Sequence, residues 1–166
     1  MYTHLLIATD GSNLAEKAVA QGIALAKKLG AKASIVTVSE PLPSVLIGDA
    51  TSAFPVEYYQ SAIRTNADEI LARAALIAKQ KGVPCETVHV NDHFPAEGII
   101  ETARAKECDL IVMASHGRRG LAKLFLGSQA TRVLSSSTVP VLVCNDKRCG
   151  SRSRAFLRPH VSIQRG

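Results

Sequence analysis

The feature that most constrains this chain is a regular alternation of short apolar runs with longer stretches whose apolar residues recur at helical spacing. Leu5-Leu6-Ile7-Ala8 reads as a strand that breaks at Asp10-Gly11-Ser12. A helix follows, with Leu14, Ala18, Val19, Gly22, Ala26 and Leu29 on one face, Asn13 and Glu16 as a capping pair, and Gly30 as its stop. Ala33 to Val38 is a second strand, and residues 39 to 54 form a proline-bearing loop long enough to serve as a lid.

From Val56 to Lys81 the positions Ile63, Ala67, Ile70, Leu71, Ala74 and Ile77 predict a long helix ended by Gly82 and Pro84. A strand over Cys85 to Val90, a helix over Pro95 to Lys106, a strand over Leu110 to Met113, a short helix from Ser128 and a strand over Val139 to Val143 complete the series. Strict β-α alternation predicts an α/β fold: a single, doubly wound, five-stranded parallel sheet with helices on both faces. Such a sheet binds ligands beyond the carboxyl ends of its strands. Pro140 lacks an N–H for a central ladder, so the last strand is expected at an edge. There is no internal repeat and no sign of a second domain.

With 46% hydrophobic residues, the 166-residue chain can bury a core without metals or disulfides. No basic-then-apolar leader and no run of membrane-spanning length is present, so a cytoplasmic location with no membrane partner is the expectation. Cys85, Cys108, Cys144 and Cys149 show no paired spacing, and His4, His89 and His93 form no recognisable metal motif, so no metal ligand is assigned.

The net charge of +6 is concentrated at one end. All 14 acidic residues and 14 of the 20 Lys and Arg fall in residues 1–146, leaving a neutral body and a wholly basic tail over 147–166. The tail reads either as a disordered appendage, which its scarcity of aromatics favours, or as an arm for nucleic acid or an acidic partner; an altered reading frame is a third origin.

Leu110-Ile111-Val112-Met113 empties into Ala114-Ser115-His116-Gly117, and nine residues later the chain reaches Gly127-Ser128. A strand ending in small residues, followed by a new helix, offers unpaired backbone N–H groups to an anion. No Lys precedes Ser128, which excludes a Walker loop, and Gly117 with Gly120 lacks the third glycine of a dinucleotide fingerprint. Asp10, just past the first strand, suits a ribose hydroxyl; taken alone it serves equally well as a helix N-cap.

Together these loops make residues 1 to 145 resemble the universal stress protein family, whose nucleotide-binding branch carries Gly-x-x-Gly, nine residues, then Gly-Ser/Thr. This chain departs from that pattern at Ala114, which would be strained if the position required a positive φ. The resemblance implies a Rossmann-like fold of the adenine nucleotide alpha hydrolase type, with a family domain over 1–146. It also implies a homodimer formed through the Val139 to Val143 edge strand, and an unidentified protein partner.

It implies ATP as ligand, with Mg2+ arriving on the phosphates. Asp10, Ala8, Thr9 and Val38 would surround ribose and base, and Met113 would line the pocket. Ser115, His116, Gly117, Gly127, Ser128 and Gln129, with Ala114 beside them, would hold ribose and phosphates. Arg118 and Arg119 read either as added phosphate charge or as solvated loop cations. No catalytic base is nominated, so the resemblance points to a stress-response switch with at most slow hydrolysis.

Overall fold

The computed structural model describes residues 1–41, 56–117 and 126–145. Residues 42–55, which include most of the expected lid, lie outside the described residues, as do Arg118, Arg119 and the basic tail.

The described chain runs β1 (His4–Ala8), α1 (Asn13–Leu29), β2 (Lys32–Val38), α2 (Val56–Lys81), β3 (Cys85–Val90), α3 (Pro95–Ala105), β4 (Leu110–Ala114), α4 (Ser128–Ser136) and β5 (Val141–Cys144). The five strands form one parallel sheet in the order β3-β2-β1-β4-β5. β1 and β4 are therefore central, and all their residues are buried.

Strand side chains alternate between faces, and the sequence feeds both faces with apolar residues. Leu5, Ile7, Ala33, Ile35, Leu110 and Val112 pack with Val19 and Ile23 of α1 and Leu71, Ala74 and Ala78 of α2. Leu6, Ala8, Val36, Ile111 and Met113 pack on the other face with Ala96, Ile99, Ile100 and Ala103 of α3 and Ala130 and Val133 of α4. Each fully buried Leu, Ile or Val contributes about 1.5–3 kcal/mol, so both layers are needed to hold the sheet.

The wiring places the crevice. β1 leads through α1 to β2 on one side, whereas β4 leads through α4, on the opposite face, to β5 on the other side. The chain diverges between the carboxyl ends of β1 and β4, which is where such sheets receive ligands.

The sheet's edges differ in character. β3 presents Glu86 and Thr87 at exposed positions, whereas β5 exposes Leu142 at 40%. β5 is an edge strand, as Pro140 requires, but it begins at Val141 and not at Val139. Ser137 Oγ donates to Val139 O (2.8 Å) and accepts from Val139 N–H (3.0 Å), so Val139 belongs to a turn. The Pro140 carbonyl still enters the ladder, accepting from Ile111 N–H (2.9 Å).

Helix α1 is capped differently from the expectation. Ser12, not Asn13, is the N-cap, and its hydroxyl accepts from Ala15 N–H (3.3 Å). Asn13 is already helical and exposed, so it cannot pair with Glu16 as an N-cap does. Glu16 instead reaches Arg73 of α2, Oε1 to Nε at 3.2 Å. The remaining ends shift by one residue: β2 starts at Lys32, β4 extends to Ala114, and Lys106 is the C-cap of α3.

Candidate functional site

At the end of β1 the chain turns sharply. Thr9 N–H donates to Val36 O (2.9 Å), which holds the strand end in place. Thr9 Oγ1 then accepts from Gly11 N–H (3.2 Å), and Asp10 Oδ1 accepts from Ser12 N–H (3.0 Å). Asp10 is thus not the helix cap; it closes the turn that delivers Ser12 to that role. Gly11 has φ +75, and a Cβ there would lie 2.7 Å from Ile70 Cγ1 and 3.2 Å from Arg73 Nη2. A side chain at residue 11 would be strained and would push α2 away, so glycine fixes the loop that carries Asp10.

At the end of β4, buried Ser115 donates its N–H to Cys144 O (2.7 Å) and accepts from Gly127 N–H (2.7 Å) through its carbonyl. Ser115 Oγ lies 3.1 Å from His116 Nδ1. A Cβ on Gly127 would sit 3.1 Å from both Ser115 O and His116 Cα, so the two halves of the motif are in backbone contact.

Gly127 is the N-cap of α4, and its carbonyl accepts from Thr131 N–H (2.9 Å). It has no side chain to satisfy the N–H groups of Ser128, Gln129 and Ala130, which have no partner within the helix. Their partial positive charge favours an anion.

The two strand ends meet. A Cβ on Gly117 would collide with Asp10 Oδ2, so the first loop's carboxylate lies directly against the second loop's backbone. The negative Asp10 carboxylate and the positive end of α4 divide the crevice between hydroxyl-seeking and anion-seeking groups.

The remaining expected residues fall around this junction in distinct ways. Ala8 and Met113, the latter 6% exposed, belong to the apolar cluster beneath α3 and α4. Half-buried Val38 packs towards Gly98, where a Cβ would be 3.0 Å from Val38 Cγ1. Ala114 lies in β4 opposite Cys144 and packs on the α1 face, without a positive φ. The strain raised by alanine at this position does not arise. The Gln129 side chain reaches the start of α3, where its Oε1 accepts from Ala96 N–H (3.2 Å).

The opposite edge holds polar residues that the motif reading did not single out. His4 Nε2 is 2.8 Å from Ser34 Oγ, which donates to Glu86 Oε1 (2.7 Å), while Glu86 Oε2 accepts from Lys106 Nζ (3.0 Å). Asp109 accepts from Thr3 N–H (2.7 Å), Thr3 Oγ1 (2.8 Å) and His4 N–H (3.0 Å). Burial and the nearby Lys32 charge push the His4 pKa down, whereas hydrogen bonds from Ser34 and Lys106 hold the Glu86 carboxyl below its ordinary range. A polar residue within a strand, such as Ser34 between Ala33 and Ile35, was the available signal.

Cys85 and Cys108 are free thiols pushed up to about 11 by burial. Among the described residues no group of three or more His, Cys, Asp or Glu could hold a metal ion, and no helix is long and apolar enough to cross a membrane.

A five-stranded parallel sheet with a small-residue turn at its switch point defines a class of Rossmann-like α/β domains, and sequence comparison narrows it. The model of the universal stress protein family matches residues 1–145, and the chain belongs to that family. It is 33% identical over 147 residues to universal stress protein YxiE of Bacillus subtilis, an alignment that covers 86% of this chain and 99% of that one. The fold matches the crystal structure of a universal stress protein family member from Burkholderia pseudomallei with a TM-score of 0.68 at 24% identity, covering 86% of this chain and 95% of that one. A universal stress protein solved in complex with cAMP matches with a TM-score of 0.64 at 26% identity, covering 86% and 96% respectively.

Proposed function

We propose that this protein is an adenine-nucleotide-binding universal stress protein that holds ATP at the β1–β4 switch point and acts as a nucleotide-dependent stress-response switch. The observation that carries this reading is the meeting of the two loops, with Asp10 against Gly117 and Gly127 hydrogen-bonded to Ser115. The absence of a Cβ at Gly117 and Gly127 lets the two loops touch, Gly117 against the Asp10 carboxylate and Gly127 against the backbone of Ser115 and His116, which brings the groups assigned to ribose and phosphate together at one point. A similar family member binds cAMP, which lends support to the adenine class.

In this reading the phosphates lie at the first turn of α4, held by the N–H groups of Ser128 and Gln129 and the Ser128 hydroxyl, with Gly117 and Gly127 beneath them. Asp10 repels phosphate and orients a ribose hydroxyl; Thr9, Ala8, Val38 and Met113 form the base side, with Ser115, His116 and Ala114 supporting the phosphate turn. Arg118 would add charge. Mg2+ would come with the phosphates and neutralise part of their charge. The family domain over 1–146 is the working unit, in the cytoplasm.

The exposed, Val/Leu-rich β5 edge favours a second element: a homodimer formed along β5, through which the nucleotide state reaches a protein partner. Calorimetric titration with Mg-ATP of protein freed of copurified nucleotide tests the first element. Micromolar binding is expected; its absence, with a dimer found by ultracentrifugation, would replace the switch by a nucleotide-independent dimer.

A further inference from the structure

Gln129 belongs to two structures at once. Its backbone N–H is in the first turn of α4, at the phosphate turn, while its side chain ends on α3. Helix α3 needs that contact: its N-cap is Phe94, which makes no side-chain cap bond, and Pro95 at the first helical position has no N–H. Ala96 carries the first backbone N–H of the helix, and the residue is buried, so water is a poor substitute partner. Gln129 Oε1 supplies the cap from another helix, at 3.2 Å. Apolar contact alone gives α3 and α4 a shared surface, through Ala96, Ala130 and Val133. The Gln129 bond adds direction to it, because it ties the rotation of the first turn of α4 to the start of α3.

We propose that Gln129 is a positioning residue that couples occupancy of the phosphate turn to the N-terminus of α3. This rests on the nucleotide reading given above. A phosphate that draws the Gln129 N–H towards it fixes the first turn of α4, which fixes the side chain and tightens the Ala96 cap. By reciprocity, a well-capped α3 holds the phosphate turn in its binding position. The neighbouring Phe94 ring, exposed at 55%, marks where such a change would surface.

The test is amide hydrogen exchange at Ala96, read by NMR on the full chain, with and without saturating Mg-ATP, in wild type, Gln129→Met and Gln129→Glu. Methionine keeps length without the acceptor; glutamate keeps the acceptor and strengthens it with charge. In the free protein the Met variant should exchange Ala96 about 3- to 10-fold faster than wild type, and the Glu variant more slowly. Mg-ATP should slow Ala96 exchange in wild type and leave the Met variant unchanged. Ala96 exchange in the Met variant equal to that of wild type overturns the cap. Binding of Mg-ATP to wild type without any change at Ala96 overturns the coupling alone. A flat Mg-ATP titration overturns the nucleotide reading and the coupling with it, while the free-protein exchange still judges the cap.

Discussion

The two edges of the sheet use polar residues in opposite ways. At the amino ends of the strands His4, Ser34, Glu86 and Lys106 are bonded to one another, and Asp109 is occupied by Thr3 and the His4 amide. At the carboxyl ends β1 and β4 run into glycines and short side chains, and the first turn of α4 keeps its N–H groups without an intrahelical partner. The first edge satisfies itself and so serves stability; the second, in the function proposed above, leaves the first-turn N–H groups of α4 to a ligand. Changes at one edge should therefore move unfolding and leave binding alone, and changes at the other should do the reverse.

The sharpest break would come from Gly127→Asp, which sets a carboxylate where an anion is expected. We predict a loss of about 100-fold in Mg-ATP affinity by calorimetry, equivalent to roughly 2.7 kcal/mol, with the far-ultraviolet circular dichroism of wild type preserved.

Ser34→Ala attacks the other edge. Ser34 is 0% exposed and bridges His4 to Glu86, so its removal leaves the buried His4 Nε2 without this partner at a cost of about 1–3 kcal/mol. Urea unfolding should register that loss, while the dissociation constant for Mg-ATP should stay within about twofold of wild type. A matching loss of affinity would erase the contrast between the edges.

Acid should find the amino-terminal edge first. A histidine whose folded pKa lies below its ordinary 6.5 favours the native state in its neutral form, so its contribution is complete above pH 6.5 and is lost as pH falls below that value. Glu86 has a lowered pKa from an ordinary 4.5, so its contribution is present above pH 4.5 and fades as pH falls through the folded value. Stability measured by urea titration should decline in two stages from pH 7 to pH 3, and His4→Gln should remove the upper one.

The smallest effect is expected from Ala114→Gly. Ala114 sits in regular strand without a positive φ, so glycine would only loosen β4, by about 0.5–1 kcal/mol. Mg-ATP affinity should change by less than about threefold; a larger gain would show that the Ala114 methyl group intrudes on the ligand.

Much of this was legible in the residue order. Apolar runs separated by helical periodicity fixed nine elements to within a residue or two, because each strand and helix is buried by local pattern alone. Pro140 placed β5 at an edge by its missing N–H. The spacing singled out Ala114–Gly117 and Gly127–Ser128 as two parts of one motif, and Gly127 N–H does donate to the Ser115 carbonyl. Sequence failed where a residue's partner is remote. The cap of α1 went to Asn13 instead of Ser12 because Asp10, Ser12 and Asn13 are all capable caps, and the choice depends on Asp10 closing the preceding turn. Gln129 and Ala96 are 33 residues apart, and His4, Ser34 and Glu86 come from three strands, so nothing in their local spacing announces them.

The unlike borders of the sheet limit how copies of this protein can associate. A sheet with two adhesive borders can add neighbour after neighbour and grow into a fibre. Among the described residues the β3 border carries Glu86 and Thr87 in the open, while the β5 border exposes Leu142. In the proposed dimer, joining β5 to β5 about a twofold axis would use up that border on both copies at once, so growth by this route would end with the pair.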